Sequence, residues 1–172
     1  MRKFLLVLLL FLSTQAFANV FEHEESLSVI SEKLPKLNDI SCKFSQEKII
    51  PNSNIVLKSS GDFVFEKQNG AVFYTKYPIK STSSYTTREY RQINNIITSI
   101  SNKNYKRLEK DFKFYYQDGW TFGLVPKQSS QAFNYLKSIE ICGTGVNGGN
   151  DRITKLVILT TDNTKTTIKF VL

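Results

Sequence analysis

The chain has 172 residues and a formal charge of +8, with 22% charged and 41% hydrophobic residues. That balance fits one globular domain and excludes a disordered or collagen-like chain. One histidine and two cysteines supply neither a clustered zinc ligand set nor a well-placed catalytic base.

Residues 1–18 read as a cleavable leader. Arg2 and Lys3 are its positive start, residues 4–12 its apolar run, and Ala16-Phe17-Ala18 its cleavage site. The run is too short to span a bilayer. Cleavage after Ala18 would leave one domain over 19–172, exported to the periplasm, with no cysteine following the leader to accept a lipid. Losing Arg2 and Lys3 lowers the charge from +8 to +6. The remaining basic residues are dispersed, densest over 103–113. They read as a solvated face, or as attraction to an anionic membrane or an acidic partner. No nucleic-acid-binding signature accompanies them.

The spacing of Leu27, Ile30, Leu34 and Leu37 predicts a helix over 22–37, the only long one, ended early by Pro35. From there the period becomes two. Residues 40–49 put Cys42, Phe44 and Gln46 on one face. Residues 55–58 lead into 59–78, read as two strands joined at Gln68-Asn69-Gly70, where Asn-Gly favours a tight hairpin. Phe63 and Phe65 share one face of the first of these, a half-buried or ligand-facing surface. The second of them covers 72–76, and a further strand is predicted over 81–87. Two more, 90–93 and 96–101, flank an Asn94-Asn95 turn. Residues 103–111 read as a short helix, and 113–117 and 120–125 as strands around Asp118-Gly119. Residues 138–141, 153–160 and 166–171 complete the set. The expected fold is α+β and mostly β: a curved sheet or unclosed antiparallel barrel with a helix on its inner face.

The motifs that could carry chemistry fail on context. His23 stands alone in the chain's first turns. Gly143-x-Gly145-x-x-Gly148 matches the dinucleotide fingerprint, which needs a following helix; here a strand is predicted. Ser45-x-x-Lys48 would place its two groups on opposite faces of a strand. No catalytic residue, metal or cofactor is expected. What remains is aromatic: Phe44, Phe63, Phe65, Phe73, Trp120, Phe122 and Phe170 alternate with polar residues, as an ordinary core or as the lining of an apolar cavity. Cys42 and Cys142 could close a loop of about 100 residues, worth roughly 4–5 kcal/mol, or remain separate thiols.

The order of motifs resembles the periplasmic outer-membrane lipoprotein carriers of the LolA family over essentially the whole mature length. Phe44-Ser45-Gln46 follows the first helix. Gly61-Asp62-Phe63 opens the next long strand, and the basic Lys67 ends it. Phe73/Tyr74 and Pro78 come next, then 120–127 closing in Pro126-Lys127, and two final strands around a polar turn. The resemblance implies an unclosed barrel whose concave face is lidded by the N-terminal and middle helices. That face would hold the acyl chains of a lipoprotein, or of another lipidated molecule, without covalent chemistry. It also implies an inner-membrane transporter that releases the cargo, an outer-membrane receptor that takes it, transient membrane contact and a monomer. Phe44, Phe63, Phe65, Phe73, Trp120 and Phe122 are the expected lining; Lys67, Leu27 and Ile30 belong to the lid and to release. A charge at Phe65 is expected to abolish uptake with little loss of folding. The sequence departs from the family in having Lys67 where arginine is usual, a shorter middle segment over 99–111, and the cysteine pair. An alternative is an envelope sensor whose groove binds a partner protein.

Overall fold

The computed structural model describes residues 19–34, 37–53, 55–83, 88–117, 120–145 and 152–171. The predicted leader, Pro35, residues 84–87, the Asp118-Gly119 turn and Gly148 lie outside the described residues. Among the described residues no helix is long and apolar enough to cross a membrane.

The N-terminal part is more broken than one helix over 22–37. A short 3-10 turn, Val20–Glu22, is capped by the Asn19 side chain, which accepts from the Phe21 amide at 3.2 Å. Strand β1, Glu24–Glu25, follows, and helix α1 spans only Leu27–Lys33. Ser26 caps α1 by accepting from the Val29 amide at 3.5 Å, as N-cap serines do. Glu24 and Glu25 therefore do not open a helix; they hydrogen-bond along a sheet edge instead. Ile30, Leu34 and Leu37 are buried as their spacing required, although the last two lie past the helix end.

Strands β2, Ile40–Ile50, β3, Ile55–Glu66, and β4, Gly70–Tyr77, form the predicted hairpins, and β5 is Ser81–Ser83. The two strands expected over 90–93 and 96–101 are instead one helix, α2, Arg88–Ser101, the longest in the structure described. Ile93, Ile96, Ile97 and Ile100 fall at i, i+3, i+4 and i+7 and are all buried, so a helical face wins over the β propensity of isoleucine. Helix α3, Tyr105–Glu109, is the short helix predicted over 103–111. Strands β6, Phe112–Gln117, β7, Thr121–Pro126, β8, Leu136–Thr144, β9, Arg152–Thr160, and β10, Lys165–Val171, follow.

All ten strands join one unclosed antiparallel sheet in the order β1-β6-β7-β8-β9-β10-β2-β3-β4-β5. Pairing is antiparallel throughout, and β10 sits between β9 and β2 with Phe170 opposite Phe44. The fold is thus mostly β, with three helices. Alternation gives the sheet two different faces. One carries Phe44, Phe63, Phe65, Phe114, Phe122, Ile139, Leu156 and Ile168, packed in a single core with Ile30 of α1, the α2 isoleucines and Leu108 of α3. The other carries cross-strand ion pairs: Lys58–Glu47 at 3.3 Å, Lys76–Asp62 at 2.5 Å and Lys155–Glu140 at 2.8 Å. Opposite charges facing each other across strands are a small but regular stabilisation of such a surface.

Candidate binding face and its open end

All six aromatics expected to line a cavity lie in the core: Phe44, Phe63, Phe65, Phe73, Trp120 and Phe122 are each at most 3% exposed. They form two groups. On β2–β4 the Phe63 and Phe73 ring centroids lie 4.8 Å apart, and Phe44 meets Phe73 edge-on at 5.2 Å. Phe170 of β10 joins them, 4.7 Å from Phe63. On the far wing Phe122 stacks on Phe114 at 5.9 Å. Trp120 lies against Gly143 of β8. The face that alternation predicted is therefore present, and the helical cover packs against it.

Of the residues assigned to a lid, Ile30 is fully buried and Leu27 packs on the core from α1. Lys67 stands in the β3–β4 turn, where its backbone amide donates to the Asp39 carboxylate at 3.0 Å. The disulfide is not formed: Cys42 and Cys142 are free thiols. Cys42 shares the covered face with Phe44, whereas Cys142 alternates with the buried Ile141 and lies on the opposite face. Strands β9 and β10 also separate them in the sheet, at about 4.8 Å per strand. Burial pushes the Cys42 thiol up; burial and then the neighbouring Glu140 carboxylate do the same for Cys142. Neither thiol is thereby made nucleophilic. Gly143 lies within β8, and β9 follows the glycine segment. His23 is exposed. No cluster of three metal-ligating side chains occurs among the described residues.

The aromatic stripe does not stop where the helices stop. Going back along β3 from Phe65 and Phe63, the same face presents Ser59, Leu57 and Ile55, and here Leu57 is 51% and Ile55 48% exposed. Opposite them on β2 are Gln46, Lys48 and Ile50. A cleft of about 480 Å³ opens there, lined by Gln46, Lys48, Leu57, Ser59, Tyr77 and Pro78 among others. A second cleft of about 520 Å³ runs from Lys48 and Ile50 towards Tyr135, Thr160 and Thr164. Both lie within the size range of small-ligand sites, roughly 300–1,000 Å³. The Ser59 hydroxyl is buried at the first cleft without a hydrogen-bond partner. Together these residues offer an apolar floor, a hydroxyl and an ammonium. Sequence reasoning missed this end. Its signal was the apolar Ile49, Ile50, Ile55, Val56 and Leu57 around a polar turn.

By fold the chain is a mostly-β protein with a helical cover on one face of a single open sheet. Comparison with protein-family models and with curated protein sequences finds no match.

Proposed function

We propose that this protein is a periplasmic carrier that holds the acyl chains of a lipoprotein, or of another lipidated molecule, and moves them between membranes without covalent chemistry. The sheet is read as an unclosed barrel, its covered face concave, and α1 and α2 as the lid. The observation that carries the reading is the continuity of one apolar face, from the buried Phe63 and Phe65 out to the exposed Leu57 and Ile55. An acyl chain would enter over Leu57. To go deeper it would displace α2 from Phe63, Phe65 and Phe73, exchanging one apolar burial for another at about 0.8 kcal/mol per CH₂. Such an exchange is close to balanced, as reversible loading requires. Lys67 is assigned to release, because it stands in the β3–β4 turn, four residues before the Ala71 amide to which α2 is fastened. An inner-membrane donor and an outer-membrane acceptor are the partners this role needs, and the carrier acts as a monomer.

Native mass spectrometry of the protein recovered from its own periplasm tests the reading. An adduct with the mass of an acylated protein supports it. A small lipid adduct keeps the cleft but moves the pathway. The bare mass, with no uptake of added lipid, overturns it in favour of a sensor that binds a protein tail. Mutagenesis must start at the open end. Phe65 is fully buried, so Phe65→Glu would place a charge in the core and unfold the protein, contrary to the expectation drawn from the sequence. Leu57→Glu changes an exposed position, and unchanged uptake in that variant removes the cleft from the path.

A further inference from the structure

The same end of the sheet has a second, outward side. Beyond Ser60 no strand among the described residues pairs with the distal part of β3 on its β4 side, because β4 pairs only from Ser60 onward. This bare edge is apolar on both faces. Ile55 and Leu57 point to the covered side. Val56 and its cross-strand partner Ile49 point to the other, at 46% and 45% exposure. At the same end, Tyr77 closes β4 and Ile79 follows it, 61% and 76% exposed. Edge strands are ordinarily guarded by charge, proline or a covering loop. A flat protein partner would cover one face and leave the other bare.

We infer that this edge docks on an anionic bilayer: Ile49, Ile55, Val56, Leu57 and Ile79 enter the interfacial region while nearby lysines meet the headgroups. A bilayer surrounds an inserted tip on all sides, which suits an edge that is apolar on both faces. The charges agree. Lys48, Lys58, Lys80 and Lys165 lie at this end against Glu47, which pairs with Lys58, and Asp162, so it is net basic. Tyr77 has an apolar ring and a polar tip, the form that collects at membrane interfaces. Apolar insertion and basic attraction are together the two signals that stable peripheral binding needs. This inference does not depend on carriage of a lipoprotein.

The test expresses the full chain, recovers the exported protein and reads its N-terminus by mass. The protein is then floated with vesicles of phosphatidylethanolamine containing a quarter phosphatidylglycerol, and separately with phosphatidylcholine vesicles. The parent should bind the anionic vesicles at least roughly tenfold better. Ile49→Asp with Ile79→Asp, two positions outside the cleft linings described above, should lose that binding while keeping the melting transition and acyl uptake. Because both residues are exposed, loss of folding is not expected. An independent measurement avoids these variants altogether. In Ile79→Trp, brominated lipid should quench the new indole, while the buried Trp120 remains as background. Absence of parent binding, equal binding by the double variant, or an unquenched Ile79→Trp overturns the inference. So does a parent dimer that the double variant abolishes, which would assign the edge to a second copy of the chain.

Discussion

The side-chain oxygen of Asn94 accepts a hydrogen bond from the backbone amide of Ala71 at 2.7 Å, and this bond fastens helix α2 to strand β4. Strand β5 pairs with β4 at Phe73–Thr75, so the Ala71 amide lies on an edge that no strand among the described residues reaches. A buried amide without a partner is costly. The helix supplies the acceptor from a residue that is itself 2% exposed. Thr98 donates its hydroxyl to the same oxygen at 3.3 Å. The arrangement requires glycine beside it: Gly70 has φ +79, and a Cβ there would sit 2.6 Å from the Asn94 oxygen.

Replacing Asn94 by alanine leaves the Ala71 amide orphaned in the interior, a loss of about 1–3 kcal/mol. Urea denaturation should show that loss. Hydrogen exchange should show α2 amides opening ahead of the sheet. If α2 is a lid, the same variant takes up lipid faster than the parent. Equal protection of α2 in parent and variant would mean that the fastening lies elsewhere.

Gly143 and Trp120 make a second close contact. A Cβ on Gly143 would lie 1.9 Å from the indole Cε3, and the Gly143 amide donates to the Trp120 carbonyl at 2.9 Å. Gly143→Ala must therefore push the indole aside, with a cost of overpacking of about 1–3 kcal/mol. Trp120 is the sole tryptophan, so its emission reports the displacement directly. A red shift with lowered stability is expected.

The Glu140–Lys155 pair gives stability a pH dependence. Burial acts to raise Glu140, but hydrogen bonds from Lys155 and Cys142 and the Lys155 charge outweigh it and hold the carboxyl below its ordinary value. Lys155 is raised, chiefly by its hydrogen bond to Glu140 and against its own burial. The Glu140 contribution is present above the unfolded carboxyl pKa of about 4.3 and is lost as pH falls through the lower folded value. The Lys155 contribution is present below the unfolded pKa of about 10.4 and is lost as pH rises through the higher folded value. The side chains are 38% and 26% exposed for lysine and glutamate, so Glu140→Gln should cost about 0.5–1 kcal/mol near neutral pH. The parent and variant denaturation curves should converge in acid.

Two free thiols on opposite faces make stability indifferent to reductant. The melting temperature of the parent should be the same with and without dithiothreitol. Unfolded protein should titrate two thiols per chain without prior reduction. A drop of the midpoint in reductant would contradict the placement of Cys42 and Cys142.

The strands were legible because their evidence is local. Residues 40–49, 153–160 and 166–171 alternate in period two, and Asn69-Gly70 marks its hairpin. The buried faces of Phe44, Phe63 and Phe65 follow from the same alternation. Helix α2 was not read, although Ile93, Ile96, Ile97 and Ile100 hold helical spacing. Isoleucine favours strands, and Asn94-Asn95 looks like a turn. What overrides both is tertiary: Asn94 is drawn inside to satisfy a strand edge 23 residues earlier, and no local pattern encodes that. The N-terminal helix was overextended for a similar reason, since Glu24 and Glu25 are taken by β6 at Tyr115 and Phe114. The aromatic face was legible as well. That it is filled under the helices and open only past Ser59 depends on how far the cover reaches.

The place of β10 has a consequence for how the molecule comes into being. It alone joins the wing β2–β5 to the wing β6–β9, and it follows every other strand in the chain. While the polypeptide is being made or threaded through a translocase, the two wings have no strand between them, and the widest sequence separation in the sheet is closed last. Pairing of β10 with β2 is therefore the longest-range contact of the sheet, and it cannot form before the last strand has emerged.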